Sequence, residues 1–157
     1  MAVVELDRIS QSLKTGDRLM GLDLGTKTIG LALSDVTLTI ASPLETIKRV
    51  KFTPDVQKLE ALIDEYEVAG LVLGLPVSMD GTEGPRCQST RQFANNLLER
   101  RDIALAFWDE RLSTAAVQRI LISEMDMTRK RRAEVVDKAA AAYILQGALD
   151  SLGSSFR

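Results

Sequence analysis

The segment GLDLGTKTIGLALSD, residues 21–35, constrains the fold more than any other part of the chain. Two apolar runs, residues 19–24 and 28–34, are separated only by Gly25, Thr26 and Lys27, a combination typical of a β-hairpin. Asp23 interrupts the first run. A bare carboxylate in apolar surroundings is costly unless a cation, a basic side chain or backbone N–H groups pair with it. The segment therefore predicts two antiparallel strands that carry one acid in need of a partner.

The chain contains no histidine, and this absence removes whole classes of chemistry. Ser-His-Asp triads, Cys-His pairs and histidine metal sites all require an imidazole. Carboxylates remain, and they bind hard divalent cations such as Mg²⁺ or Mn²⁺. The single cysteine, Cys87, cannot form an internal disulfide or a thiolate metal site alone, which fits a reducing compartment.

Length and composition indicate one globular domain. The chain has 157 residues, of which 45% are hydrophobic and 27% charged. Its apolar runs fall far short of the ~20 residues of a membrane span, and residues 1–14 lack the features of a signal peptide. We therefore expect no membrane association and a cytoplasmic location. The net charge of −2 gives no general attraction for nucleic acid, so such a site would need a local basic patch.

After the hairpin, the pattern changes to alternating strands and helices. We expect a third strand over residues 40–47, placed at an edge or a bulge because Pro43 cannot donate to a ladder. A helix should begin with Thr53 as its N-cap and Pro54 at its first position, and end at Gly70. The remaining expected elements are a buried strand over 71–75, a helix over 85–100, a strand over 103–108, a helix from Ser113 to about 122 and a last helix from 128 or 132 to 152.

This order of elements predicts an α/β fold with antiparallel strands first and βαβ crossovers later. Residues 1–17 show no clear pattern and end in a Lys-Thr-Gly-Asp sequence. We expect them to form a loosely attached N-terminal extension, and residues 18–157 to form the domain itself.

Two further acids are placed where they could approach Asp23. Glu110 follows the strand that ends at Trp108, and ligands of open α/β sheets bind beyond the carboxyl ends of parallel strands. Asp137 shares one helical face with a run of apolar residues, namely Ala141, Ile144, Leu145, Ala148 and Leu152. The competing explanations are a solvated loop acid for Glu110 and a first-turn acid that favours the helix dipole for Asp137.

Three carboxylates at close range repel one another unless they are protonated or bridged by cations. Two divalent ions about 4 Å apart would bridge them and clamp an in-line phosphoryl displacement. Asp109 is an alternative ligand to Glu110, but strand alternation puts the two on opposite faces, so only one should point into the site.

Basic residues near these acids are candidates for contacts with a phosphate backbone. A run of four precedes the Asp137 helix, and others lie in turns beside the expected site. The set is Arg129, Lys130, Arg131, Arg132, Lys138, Lys27, Arg86 and Arg111. The competing explanation for the run is a solvated helix start. The loop over residues 74–86 is rich in glycine, which permits close approach of the backbone to a ligand.

Four ordered blocks within residues 18–152 resemble the YqgF family, also called RuvX, of pre-16S rRNA nucleases or Holliday junction resolvase-like proteins. The blocks are GLDLGTKTIGLALSD, GLPVSMDGTEGP, DERLST and VDKAAAAYIL. The resemblance implies an RNase H-like fold with a five-stranded mixed sheet flanked by helices. It also implies that Asp23, Glu110 and Asp137 are the catalytic, metal-binding acids. Thr28 and Ser113 depart from the family's common pattern, and neither is one of the three acids.

The expected function is therefore that of a Mg²⁺- or Mn²⁺-dependent endonuclease acting on structured RNA, in maturation of the small-subunit rRNA precursor, with ribosomal particles as further partners. A Holliday junction resolvase acting on DNA is the first alternative, and it requires a dimer. A non-catalytic rRNA-binding assembly factor is the second. A sugar-kinase-like or actin-like ATPase is disfavoured because the chain has no second Asp-x-Gly hairpin. The sequence does not distinguish a monomer from a homodimer.

Overall fold

The protein is described by a computed structural model covering residues 3–78, 80–112 and 129–155, with the backbone alone described for 112, 129–137 and 154–155. The helix expected from Ser113 lies outside these residues. In chain order the described elements are α1 (Leu6–Ser12), β1 (Arg18–Leu24), β2 (Thr28–Ser34), β3 (Ala41–Lys48), α2 (Phe52–Glu65), β4 (Val68–Leu75), α3 (Pro85–Arg100), β5 (Ala104–Asp109), a 3₁₀ turn (Glu110–Leu112) and α4 (Arg129–Ser155).

The five strands form one mixed sheet in the order β3-β2-β1-β4-β5. β1, β2 and β3 pair antiparallel, whereas β1, β4 and β5 pair parallel. A three-residue turn suffices for the first pair, while the parallel pairs need the crossover helices α2 and α3. The predicted five-stranded mixed sheet, with antiparallel strands first, is confirmed.

Pro43 has both of the properties expected of a proline in a sheet. β3 is an edge strand, and its register with β2 shifts between Leu31 and Ala32, where Ala32 pairs with Pro43. A residue without an N–H is tolerated there because an edge strand need not donate on both sides.

Both predicted ends of α2 are wrong. The helix begins at Phe52 rather than after Thr53, and no side chain caps it. The buried carboxylate of Asp55 instead accepts the Val50 N–H at 3.2 Å, which fixes the chain just before the helix. The helix ends at Glu65, and Glu67 takes the left-handed conformation with φ 54° that a terminal glycine would usually supply.

Gly70 lies inside β4, where close packing rather than a turn explains it. A Cβ at this position would lie 2.8 Å from Leu19 Cδ2 and 2.9 Å from Ile9 Cγ2. The chain therefore needs the smallest residue here, because two apolar side chains already fill the space above it.

Each face of the sheet carries its own apolar core, as strand alternation requires. Leu22 and Leu73 point towards the α2 and α3 side. Val72 points to the opposite side, where α4 packs through its apolar stripe. The small residues of α4 allow close approach: a Cβ at Gly21 would lie 2.9 Å from the Ala141 carbonyl oxygen.

The N-terminal segment contributes to this second core. Ile9 of α1 is fully buried, and the Val4 N–H donates to the Leu105 carbonyl at 2.9 Å. Val3 also forms a single parallel bridge with Leu105, which covers the outer edge of β5. Residues 3–17 are thus joined to the sheet through contacts with both β4 and β5. The division of the chain at residue 17 itself stays a prediction.

Candidate active site

Asp23 is the only charged residue of β1 that the sheet buries, with 2% of its surface exposed. It pairs with Gly30 of β2 and is flanked by Leu22 and Leu24. Because Gly21 faces α4 and side chains alternate along a strand, Asp23 faces the α4 side of the sheet. The residue therefore sits near the carboxyl end of the central strand, below the helix that carries Asp137.

Glu110 approaches the same face from the end of β5. It opens the 3₁₀ turn after Asp109 and extends its carboxylate over Gly74 of β4. A Cβ at Gly74 would lie 2.8 Å from Glu110 Oε1 and would also overlap the Ile144 side chain of α4. The missing side chain at residue 74 thus leaves room for the carboxylate.

Gly74 is adjacent to both acids. β1 and β4 pair in parallel up to Leu22 and Leu73, so the next residues, Asp23 and Gly74, lie side by side. Neighbouring strands are about 4.8 Å apart. Asp23 and Glu110 therefore flank Gly74 on one face, at the carboxyl ends of the parallel strands, where α/β sheets bind their ligands.

Asp137 lies in the first half of α4, one helical turn before Ala141, whose carbonyl touches β1. The structure describes the course of the backbone at this residue and not its side chain, so its role as the third acid stays a prediction. Among the side chains that are described, no three acids or cysteines cluster closely enough to hold a metal ion.

The side chains of Asp109, the last residue of β5, and Glu110, the next residue, point in different directions, as strand alternation predicts. Asp109 turns towards Arg111, which donates to it from the backbone at 2.9 Å and from the guanidinium at 2.6 Å. The hydrogen bond from that guanidinium lowers the pKa of the Asp109 carboxyl below its usual range. Asp109 is thus held as a partner for Arg111, which leaves Glu110 as the acid over Gly74.

The donor set suits a divalent cation of the hard type. Asp23 and Glu110 supply carboxylate oxygens, the ligands that Mg²⁺ and Mn²⁺ prefer. A third oxygen ligand would be needed to build a site of the usual kind, and Asp137 is the candidate that the sequence provides.

The loop between β4 and α3 contains a hydrogen-bonded turn. Gly81 donates to the Ser78 carbonyl at 2.8 Å and takes φ 89°, which favours glycine. Asp80 accepts from the hydroxyl and the backbone N–H of Thr82, and these bonds lower the pKa of its carboxyl. The loop carries the chain from the end of β4 to the first turn of α3.

The predicted basic residues fall into three groups. Lys27 is exposed on the hairpin turn, and Arg86 lies in the first turn of α3 with its Nη2 3.5 Å from the Leu24 carbonyl. Arg111 is neutralised by Asp109. The third group belongs to α4: Lys138 is half-buried, and only the backbone is described for Arg129, Lys130, Arg131 and Arg132. Their contacts with a substrate stay predictions.

Sequence analysis missed two cations that the fold places beside Arg86. Arg49 and Lys51 leave the end of β3 and line the same groove as Arg86. The signal was present in the sequence as the basic run Lys-Arg-Val-Lys, residues 48–51. The run lies far from the three acids along the chain, and the antiparallel pairing of β2 with β3 brings it next to the β1–β2 turn.

Comparison with known proteins identifies a matching family and close relatives. A family model described as "RuvX: Holliday junction resolvase" matches residues 17–151. A protein of Rhodospirillum rubrum named "Putative pre-16S rRNA nuclease" is 65% identical over 152 residues, which cover 97% of this chain and 94% of that protein. A protein of the same name from Paramagnetospirillum magneticum is 62% identical over 151 residues, covering 96% of this chain and 97% of the relative.

Among solved structures, the yeast mitochondrial Holliday junction resolvase Ydc2 superimposes with a TM-score of 0.51 at 11% identity, covering 95% of this chain and 86% of that one. At this identity the likeness shows the fold alone, which is the RNase H-like fold that the sequence predicts. None of the helices in the described part of the chain combines the length and apolar character needed to cross a bilayer.

Proposed function

Because the chain belongs to the RuvX family, we propose that it is a metal-dependent endonuclease that cleaves structured RNA in maturation of the small-subunit rRNA precursor. The observation that carries this proposal is the convergence of Asp23 and Glu110 on Gly74 at the carboxyl end of the parallel strands. The names of the relatives, which mention pre-16S rRNA, support the choice of substrate.

Each acid has a distinct part in the proposed site. Asp23 is held by a central strand inside the sheet, so its position is fixed by pairing on both sides. Glu110 is positioned by the 3₁₀ turn, and its carboxylate lies over Gly74, where no side chain competes for the space. Asp137 would close the set from α4. When bound, two Mg²⁺ or Mn²⁺ ions would polarise the scissile phosphate and lower the pKa of an attacking water.

The basic residues would bind the substrate phosphates, while the acids would bind the metal ions that promote cleavage. The run Arg129–Arg132 begins α4, and the same helix carries Asp137 two turns later. Lys27 and Arg86 lie at the hairpin turn and at the first turn of α3. Contacts from these residues to phosphates would set affinity and register without reading sequence. We place the reaction in the cytoplasm, on precursor rRNA alone or within ribosomal particles.

A second candidate function is resolution of DNA junctions, and the description of the matching family favours it. Cutting two strands symmetrically needs two active sites and hence a dimer. A sizing column and a light-scattering measurement on the full chain, free and with the junction bound, would show whether it forms the homodimer that symmetric resolution needs.

The deciding experiment offers the full-length protein both substrates. Precursor small-subunit rRNA and a four-way DNA junction are incubated with Mg²⁺, with Mn²⁺ and with EDTA, alongside an Asp23→Asn variant as the control for contaminating nucleases. We expect cleavage of the RNA that needs metal and Asp23. Cleavage of the junction alone would favour resolution, and binding of rRNA without any cleavage would favour the assembly-factor alternative.

A further inference from the structure

A groove of about 540 Å³ opens at the end of β1, on the side away from α4. Its walls are the β1–β2 turn, the connection from β3 to α2 and the first turns of α3. Leu24 and Gly25 line it, and they directly follow Asp23 along the chain. A residue of a strand advances about 3.3 Å, so the groove begins within one or two residue lengths of the Asp23 backbone, whose side chain faces the α4 side of the sheet.

Three cations line this groove, and two of them are held by the backbone beside Asp23. Arg49 Nη1 donates to the Gly25 carbonyl at 2.6 Å, and Arg86 Nη2 lies 3.5 Å from the Leu24 carbonyl. Arg49 also lies over the ring of Phe93 at 6.0 Å from its centre. Lys51 is exposed at the groove rim. A guanidinium has five N–H donors, so these single bonds orient Arg49 and Arg86 while most of their donors stay open.

The groove cations have no acidic partner among the described residues, whereas four arginines further along the chain do. Elsewhere the arginines of α3, of the turn after it and of the 3₁₀ turn pair with carboxylates: Arg91 with Glu83, Arg100 with Glu60, Arg101 with Asp64 and Arg111 with Asp109. Within the same described residues, no ion pair joins Arg49, Lys51 or Arg86 to an acid. The one acid of the groove, Asp55, is buried and accepts the Val50 N–H. The groove therefore keeps a net positive charge.

The other groups of the groove also suit an anion rather than a base. The 16-residue helix α3 points its N-terminus at it, and no side chain caps the first N–H groups. Thr26 and Ser89 add hydroxyl donors. The two aromatic rings, Phe52 and Phe93, pack edge-to-face on each other at 5.6 Å and are thus engaged with each other. These features predict contacts to phosphate and no stacking of nucleobases.

We propose that this groove binds the backbone phosphates of the substrate strand that lie immediately beside the cleaved one, with Arg49 and Lys51 as ligands in addition to Arg86. The inference deepens the proposed nuclease function and rests on it for the position of the cut. Recognition is of the phosphodiester backbone, so the groove contributes affinity and register and leaves the choice of sequence to other parts of the complex.

The first test measures binding without chemistry. Titrations of single-stranded RNA in EDTA, at several salt concentrations, compare the wild type with an Arg49→Ala, Lys51→Ala double variant. Each phosphate contact on a single strand contributes about 0.7 to the salt slope. We expect the slope of the double variant to fall by about 1.4 and its dissociation constant at low salt to rise about tenfold or more.

The matched control removes one arginine and one lysine elsewhere. Lys58 is exposed on α2, and Arg100 is paired with Glu60. A Lys58→Ala, Arg100→Ala variant should keep the wild-type slope. Equal slopes for the groove variant and this control would overturn the proposal. If loss of the Arg49 hydrogen bond prevents folding, the single Lys51→Ala variant, at an exposed position, should still lose about 0.7 of slope.

A second test places the groove relative to the cut. Cys87 is fully buried, so a Lys51→Cys variant carries one accessible thiol for a short photoreactive label. The label should crosslink to the nucleotides next to the cleavage position, whereas a label at Lys58→Cys should not. Crosslinks spread evenly along the RNA would overturn the assignment. If the wild type cuts nothing with metal while the groove variant still loses salt slope, the nuclease function fails and the phosphate groove stands.

Discussion

The carboxylate of Glu110 occupies the space that a side chain at Gly74 would need. A Cβ there would come within 2.8 Å of Oε1, although the backbone of Gly74 does not require a glycine conformation. The glycine is therefore explained by the acid above it together with Ile144 of α4, whose Cδ1 the added Cβ would overlap. Asp23 follows Leu22, the partner of Leu73, so it lies beside Gly74 on the neighbouring strand. The Glu110 carboxylate thus extends over the position next to Asp23.

A Gly74→Ala substitution should accordingly impair the proposed site more than the fold. The added methyl group must displace both Glu110 and Ile144, at a cost of about 1–3 kcal/mol of stability. A shift of about 1 Å in a catalytic group can cost about a hundredfold in rate. Melting curves and cleavage rates should be measured against Gly153→Ala, where the added Cβ would meet nothing within 4 Å. Full cleavage activity in Gly74→Ala would argue against Glu110 as a catalytic residue.

The three predicted acids should act as one unit. Asp23→Asn, Glu110→Gln and Asp137→Asn should each lower cleavage by about a hundredfold or more, the scale seen when a group that stabilises the transition state is lost. Binding of RNA should stay the same or strengthen, because a negative charge has been removed near the phosphates. Asp109→Asn should leave cleavage closer to the wild type, since that acid pairs with Arg111. Near-full turnover in any of the three would remove that residue from the proposed site.

Metal binding should be visible without any substrate. A ligand that binds only the folded protein, present at a hundred times its dissociation constant, stabilises it by about 2.7 kcal/mol. We expect Mg²⁺ or Mn²⁺ to raise the melting temperature of the wild type and not that of Asp23→Asn. Carboxylate repulsion in the absence of metal should also make Asp23→Asn melt higher than the wild type in EDTA. An equal metal-induced shift in both proteins would place the ion elsewhere.

The sequence predicts most of this fold because its strongest signals are local. β2 and α3 occupy the predicted residues, since a three-residue turn between apolar runs and a Gly-Pro start leave few alternatives. The ends of α2 were mispredicted because tertiary contacts decide them. Asp55 fixes the entry through Val50, and Glu67 takes the left-handed conformation at the exit. Gly70 looked like a helix end, but its reason is the packing of Ile9 and Leu19, which no local pattern reveals.

The same difference between local signals and long-range contacts applies to the candidate site. Asp23 and Glu110 could be predicted because an acid in an apolar strand and an acid after a parallel strand both have few structural explanations. The meeting of the two over Gly74 depends on strand register, and so does the return of Arg49 and Lys51 to the groove beside β1. Register is a long-range property, so the sequence alone predicts the two acids as candidates and does not predict the groove.

The turn after β2 should make the stability of the protein sensitive to acid. Asp35 accepts hydrogen bonds from the Thr37 hydroxyl and from the backbone of Thr39 and Ile40, and these lower its pKa from 3.8 to about 2. A lowered pKa stabilises the folded state above the unfolded value, and this contribution is lost as the pH falls from about 4 to about 2. Solvent screening at this surface position limits the effect to less than about 1 kcal/mol. Urea unfolding from pH 3 to pH 7 should show a gap between wild type and Asp35→Ala that narrows in acid; a constant gap would contradict it.

The basic run that opens α4 gives the last prediction. Four basic residues precede Asp137 on one helix, so phosphates bound at that helix start would lie near the proposed metal ligands: Arg129, Lys130, Arg131 and Arg132. Replacing all four with alanine should weaken binding to RNA and DNA alike, and each lost phosphate contact should flatten the salt slope by about 0.7 on a single strand or about 0.9 on a duplex. The acid variants should behave in the opposite way, binding well and failing to cut. Titrations of both sets at several salt concentrations give the comparison. A quadruple variant with the wild-type slope would show that the run is a solvated helix start that makes no phosphate contacts.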